Sequence, residues 1–246
     1  TVLRGSLPGL RSFGTSREAW SMNQMRPSSV DWEADIYARG QQINKWPFSE
    51  VISSILRSTA GRNRNEVSVL EIGCGAGNNI WFLVSEGFQA HGLDMSATAI
   101  EYARRRLLAV GLEADLKVGD MATLPWDDNR FDIVIDRGAL TQNTHSHITA
   151  ILEDVRRVLK PGGVMMSFTL FGMNHAERIY GNEVSYHTFD HFQDGYFRSV
   201  GLTSFFTSDD LRSLFSRYSK MEIERTTVHA DNDQILSEEF SVKATK

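Results

Sequence analysis

The sequence holds a single cysteine, Cys74, among 246 residues. One thiol excludes an intrachain disulfide and a zinc site built on cysteines, and makes a reducing cytoplasm the simplest compartment. Set among glycines after a β-branched run, it reads as a small side chain that fits rather than as a reactive group. Long apolar runs are also missing. No stretch approaches the roughly 20 residues needed to span a bilayer, so no membrane is expected. Basic charge is not in excess either: a formal net charge of -5 argues against a standing nucleic-acid partner. The one dense basic run, Arg104-Arg105-Arg106, lies among Ile100, Ala103 and Leu107 at helical spacing and reads as a solvated helix face.

A hydrophobic content of 41% and a charged content of 23% are those of an ordinary globule. The length suits one α/β domain with additions of about 20 to 60 residues. Thr1 to Asn23 is rich in Ser, Gly and Arg, with Glu18 its one acid. Residues 1–25 are therefore expected to be an unstructured tail or appended sequence, a transit peptide being the other reading of such a composition.

The most informative stretch is Val67-Ser-Val-Leu-Glu-Ile-Gly-Cys-Gly-Ala-Gly77. Val67 to Ile72 has the composition of a buried parallel strand, and Gly73, Gly75 and Gly77 remove side chains where backbone must turn and approach a ligand. A dinucleotide fingerprint needs G-x-G-x-x-G; here the third glycine comes one residue early. Glu71, two residues before the first glycine, would repel a pyrophosphate and attract an amino group. With this E-x-G-x-G-x-G pattern the chain resembles the class I S-adenosylmethionine (SAM) dependent methyltransferases of small-molecule type.

Strand-like and helical patterns alternate from there. Asn79 to Glu86 reads as a helix and Gln89 to Leu93 as a strand ending at Asp94. A helix capped by Ser96 then runs to about Val110, and Leu116 to Val118 is a strand before Gly119-Asp120. Phe131 to Ile135 is a further strand, the following helix carries Ile148, Ile151, Leu152, Val155 and Leu159 on one face, and Lys160-Pro-Gly-Gly163 leads into the strand Val164 to Leu170. Thr207 to Ser216 reads as a helix with Thr207 and Asp210 at capping-box spacing, and Met221 to Val228 pairs with Glu239 to Ala244 as a hairpin. The expected fold is α/β: a doubly wound, mostly parallel sheet. The resemblance makes it seven-stranded with a C-terminal antiparallel hairpin, the Rossmann-like methyltransferase fold. The expected divisions are a helical lid over 26–64 and a methyltransferase domain over 65–246, with an acceptor-covering insertion at about 171–206.

Ligands of such sheets bind beyond the carboxyl ends of the strands. Glu71, Asp94, Asp120 and Asp136 each end one of the first four strands, an anionic rim suited to a cationic, hydroxyl-rich ligand. The resemblance implies SAM as cofactor and S-adenosylhomocysteine as product. Asp94 would take the ribose hydroxyls, Asp120 and Met121 the adenine end, Leu93 or Met95 the ring face, and Gly73, Cys74, Gly75, Gly77 and Asn78 the methionine part beside Glu71. Asp136 completes the cofactor set.

The chemistry needs a nucleophile held in line and water excluded. His145 or His147, in the polar loop after the fourth strand, is the candidate general base. Tyr37, Asn44, Trp46, Arg137, Tyr186 and His187 are the candidate acceptor-binding residues. His187 and His191 would share a face only if helical, and no metal is expected. The expected function is methyl transfer to a small molecule, a carbohydrate or secondary metabolite, with O-methylation favoured. The alternatives are N-methylation and a SAM-binding protein that does not methylate. A homodimer is admitted.

Overall fold

A computed structural model describes residues 28–246 of the chain; the expected tail at 1–25 lies outside the described residues. Seven strands form one sheet in the order β3-β2-β1-β4-β5-β10-β9. They are β1 (Ser68–Ile72), β2 (Gln89–Asp94), β3 (Asp115–Val118), β4 (Phe131–Arg137), β5 (Leu159–Phe171), β9 (Lys220–His229) and β10 (Ile235–Thr245). The first five are parallel, whereas β10 runs antiparallel to both β5 and β9 and lies between them. This is the expected α/β sheet with its antiparallel hairpin.

Side chains alternate across a strand, so β1 feeds two apolar layers. Val69 packs with Ile133 and Ile135 against α1 (Ser49–Ser58), α2 (Asn78–Ser85) and α3 (Ala97–Leu108), through Val51, Ile55, Ile80, Leu83, Ile100 and Ala103. Leu70 and Ile72 face the other layer, where α4 (His145–Val158) and α5 (Ser208–Leu214) present Ile148, Ile151, Leu152, Val155 and Leu211, with Phe215 just after α5. The period-3.6 stripe read for α4 is thus its buried face. Leu159 opens β5 instead of closing α4. A register shift between Phe131 and Ile133 of β4 accommodates Lys160-Pro-Gly-Gly163 within β5. Thr207 and Asp210 form the expected capping box of α5.

The segment after β5 builds a small antiparallel sheet of its own, β6 (Asn182–Ser185), β7 (Thr188–Asp190) and β8 (Thr203–Ser204). Its core is aromatic: Phe171, Phe189, Phe192, Phe197 and Phe205 with Val200. These strands escape a pattern reading because they are two to four residues long and β6 is exposed throughout.

Only part of the segment before β1 crosses the sheet end. Asp31 caps a single helical turn, Trp32–Ile36, which runs into Tyr37–Arg39 and stops at the left-handed Gly40. Residues 28–48 form a strap, whereas α1 belongs to the first apolar layer, with Val51 and Ile55 fully buried. Among the described residues no helix is long and apolar enough to cross a membrane.

Candidate functional site

Strand order reverses between β1 and β4, and the glycine loop leaves β1 at that crevice. Gly73 and Gly75 hold φ of 65° and 50°, a region side chains rarely adopt. A Cβ on Gly73 would overlap that of Ala139, and one on Gly75 would lie 2.5 Å from the Tyr37 hydroxyl oxygen. The loop is therefore glycine-only for two reasons: it is packed from below by the chain after β4, and covered by the strap. Gly77 packs on Ala103 and starts α2.

Glu71 is buried at the base of the loop. Its Oε1 accepts from Asn79 Nδ2 at 2.7 Å, while Oε2, equally buried, has no hydrogen-bond partner among the described residues. Burial pushes its carboxyl up to about 8; the Asn79 bond opposes the shift, and Asp136 and Asp94 add to it. Asp94 ends β2 and braces two loops at once, accepting from Gly75 N at 2.8 Å and Ser96 N at 2.9 Å. Ser96 in turn caps α3 through Ala99 N. Met95 follows, half-buried.

Asp120 stands two residues past β3, accepting from Ala122 N at 2.9 Å, with His147 Nε2 3.6 Å from its Oδ1. Met121 reaches back beneath Gly73. Glu71 and Asp94 are close enough to influence each other's charge, and Asp120 follows the next strand of the sheet. The Cys74 thiol points into the core against Gly92, and burial raises its pKa well above the ordinary thiol value. Only the backbone of Cys74 belongs to the loop surface, its N–H donating to Leu93 O.

Four of the expected site residues make other contacts in the structure. Asp136 is not a rim residue: β4 runs on to Arg137, so Asp136 is a fully buried strand residue whose oxygens accept from Ala139 N, Leu140 N and Ser167 Oγ. It holds the turn that supports Gly73, and burial lifts its carboxyl to about 6. Asn78 turns its amide away from the loop to Trp46 O at 2.9 Å, and so anchors the strap. Tyr186 and His187 stack at 4.0 Å and both bond Asp210 at the start of α5, a junction of the insertion with the domain. His187 and His191 flank β7 with left-handed φ rather than sharing a helix face.

The two candidate bases differ in placement. His145 directs Nε2 to Phe205 O at 3.1 Å among Tyr186, His187 and Phe206, and burial lowers its pKa. His147 stands beside Asp120. Tyr37 lies over Gly75, where burial, then Asp94, Cys74 and Glu71, push its phenol up. Arg137 covers the Phe48 ring at 3.6 Å and pairs through Nε with Glu50 at 3.3 Å. Trp46 and Asn44 are exposed, with Lys45 over the Trp46 ring.

Sequence reasoning missed Glu33, which bonds Ser96 Oγ, Thr98 Oγ1 and Thr98 N and so fastens the strap to the start of α3. Asp31, a cap residue just before Trp32, was the available signal.

A family profile for methyltransferase domains matches residues 69–163, the segment from the glycine loop to the start of β5. Over those residues the chain is similar to the class I SAM-dependent methyltransferases. Over 97 residues it is 36% identical to the phthiotriol/phenolphthiotriol dimycocerosates methyltransferase of Mycobacterium tuberculosis, covering 39% of this chain and 34% of that one. Over 100 residues it is 35% identical to a fatty-acid O-methyltransferase of Mycolicibacterium smegmatis, covering 40% and 35%. The chain thus spans about a third of the length of these curated relatives. The fold is also that of a SAM-dependent methyltransferase structure from Methanosarcina mazei, with a TM-score of 0.65 at 22% identity over 78% of this chain and 96% of the other. The part of the chain matched by the profile is the part that carries the glycine loop; the strap, the small sheet and the hairpin lie outside it.

Proposed function

We propose that this chain binds SAM in the crevice between β1 and β4 and transfers its methyl group to a small-molecule acceptor with an apolar body. The carrying observation is Glu71: a buried carboxyl group with one oxygen anchored and the other without a partner among the described residues, beside a glycine loop. A buried acceptor left unmade is costly, and an ammonium group supplies the missing donor. Glu71 would hold the cofactor's amino group, Asp94 its ribose hydroxyls, and Asp120 with Met121 its adenine end. When bound, SAM supplies a methyl group already activated by its sulfonium. The chain's own residues position and exclude: Tyr37 closes over Gly75, and Trp32 carries the strap onto the aromatic core of the insertion.

That aromatic cover supports an apolar acceptor, and the likeness to an enzyme named for fatty-acid O-methylation favours oxygen over nitrogen. A carboxylate acceptor is already ionised and needs no base, which suits a site whose His145 is tied to a carbonyl. N-methylation is the second reading. Glu50 pairs with Arg137, and burial raises the Glu239 carboxyl near both, so this edge carries more acid than base and would hold an amine. The proposed compartment is the cytoplasm.

Calorimetric titration with SAM, S-adenosylhomocysteine and NAD tests the cofactor. Micromolar binding of the first two alone is expected, and binding of NAD alone would overturn the proposal. Turnover of SAM with fatty acids, phenols and amines in parallel then separates oxygen from nitrogen, and no turnover with any acceptor would leave a SAM-binding protein.

A further inference from the structure

The strap is fastened at two places. Near its start, Ser29 gives Asp190 of β7 both its backbone N–H, at 2.7 Å to Oδ2, and its hydroxyl, to Oδ1; His191 N adds a third donor at 2.6 Å. Asp190 is fully buried, 161 residues away from Ser29, and among the described residues two of its three donors come from this one serine. Ser28 Oγ also accepts from Leu202 N at 3.3 Å, beside β8. Four residues after Ser29, Glu33 is bonded to Ser96 and Thr98 at the start of α3, and Ser96 is the residue braced by Asp94.

Only residues 30–32 lie between these fastenings, and the second falls in the single helical turn capped by Asp31, so the connector is short. Trp32 packs on the insertion's aromatic core, and its ring lies 6.0 Å from that of Tyr37, the residue over Gly75. A displacement at one fastening has little slack in which to be absorbed before it reaches the other.

We infer that Asp190 is a positioning residue: it holds the strap in register with the crevice, so that filling the crevice tightens the acceptor cover built from β6, β7 and β8. This inference rests on the crevice being the SAM site. The order of events it implies is cofactor first, because the strap segment that closes over the cofactor is also the segment that steadies the cover.

Hydrogen exchange read by mass spectrometry tests it, on the full chain with and without S-adenosylhomocysteine. In the wild type the ligand should slow exchange in peptides covering 73–78, 33–40 and 186–192. In Ser29→Ala and Asp190→Asn the slowing at 73–78 should persist while that at 186–192 disappears, and Kd for S-adenosylhomocysteine should rise at least tenfold in Asp190→Asn. Ser29→Ala removes one hydroxyl and keeps the buried carboxylate, so it reads the coupling even where Asp190→Asn fails to fold. The inference is overturned if 186–192 does not respond in the wild type, or responds equally in Ser29→Ala. Absence of any response at 73–78 in the wild type would instead remove the cofactor assignment. The coupling would then be judged by Glu33→Gln alone: faster exchange at 186–192 sustains it and unchanged exchange ends it.

Discussion

Asn79 donates its side-chain amide to Glu71 Oε1 at 2.7 Å, and the same amide's oxygen accepts the Phe48 N–H at 3.0 Å. One side chain thus orients the buried carboxylate and ties down the end of the strap. The carboxylate is aimed before any ligand arrives.

A pH dependence follows from that aim. Burial, with help from Asp136 and Asp94, holds the Glu71 carboxyl at about 8, against the usual 4.5. The folded chain therefore keeps a proton that the unfolded chain releases, and this group's contribution to stability falls as pH rises from about 4.5 to about 8. An ammonium ligand selects the ionised form, so binding near pH 7 should release close to one proton, and affinity should weaken by up to about tenfold for each unit below pH 8. Calorimetry with S-adenosylhomocysteine in two buffers of different ionisation enthalpy measures the proton. Glu71→Gln should bind more weakly and lose the buffer dependence.

Gly73→Ala should be the most damaging loop substitution. It places a side chain at a φ of 65° and onto Ala139. The left-handed backbone costs about 1–2 kcal/mol and the overpacking about 1–3 kcal/mol. Gly61→Ala is the control, since its φ is 77° but nothing lies within 4 Å of the new Cβ. Thermal melts should show a clearly larger fall in Tm for Gly73→Ala, and equal falls would mean that the contact with Ala139 yields.

Asp94→Ala should weaken SAM by about 1–3 kcal/mol through lost charge-assisted hydrogen bonds. It also strips the acceptor from Gly75 N and Ser96 N, so the free protein should melt earlier. Asp94→Asn, which keeps the shape, should retain more stability than affinity. Unchanged S-adenosylhomocysteine affinity in both variants would place the ribose elsewhere.

Asp210 predicts the opposite pH trend. Burial works against its charge, but the N–H and hydroxyl of Thr207, with Tyr186 and His187, hold its carboxyl down to about 2. A lowered carboxyl stabilises the fold above its unfolded value of about 3.8, and that stability is lost as pH falls through about 2. Asp210→Asn should flatten acid unfolding over this range. Thr207→Ala should cost about 0.5–2 kcal/mol as a lost cap, read by denaturant titration.

The parts of the site that were legible in the sequence are those set by local chemistry. Val67 to Gly77 could be read because β-branched residues, alternating glycines and one acid leave few backbones to choose from. Asp94 could be read because a strand must end before Ser96 can cap a helix. The capping box of α5 is spelled in four residues. Asp136 was misplaced because strand length is set by pairing: Asp136 and Arg137 pair with Ser167 and Phe168 of β5, which no local signal announces. The meeting of Ser29 with Asp190 was out of reach for a similar reason. Their contact is a property of two tertiary elements, and neither residue type is unusual where it stands. His145 shows a third limit: read as part of the polar loop, it opens α4 instead, and its carbonyl partner lies 60 residues on.

The place of β10 bears on how the chain reaches this structure during synthesis. Strands β1 to β5 can pair as they emerge, but the flank of β5 then waits as an open hydrogen-bonding edge until residues 235–245 arrive to fill the gap between β5 and β9. A ribosome-bound chain would carry its glycine-loop crevice already assembled while one sheet margin remained open to pairing with another strand.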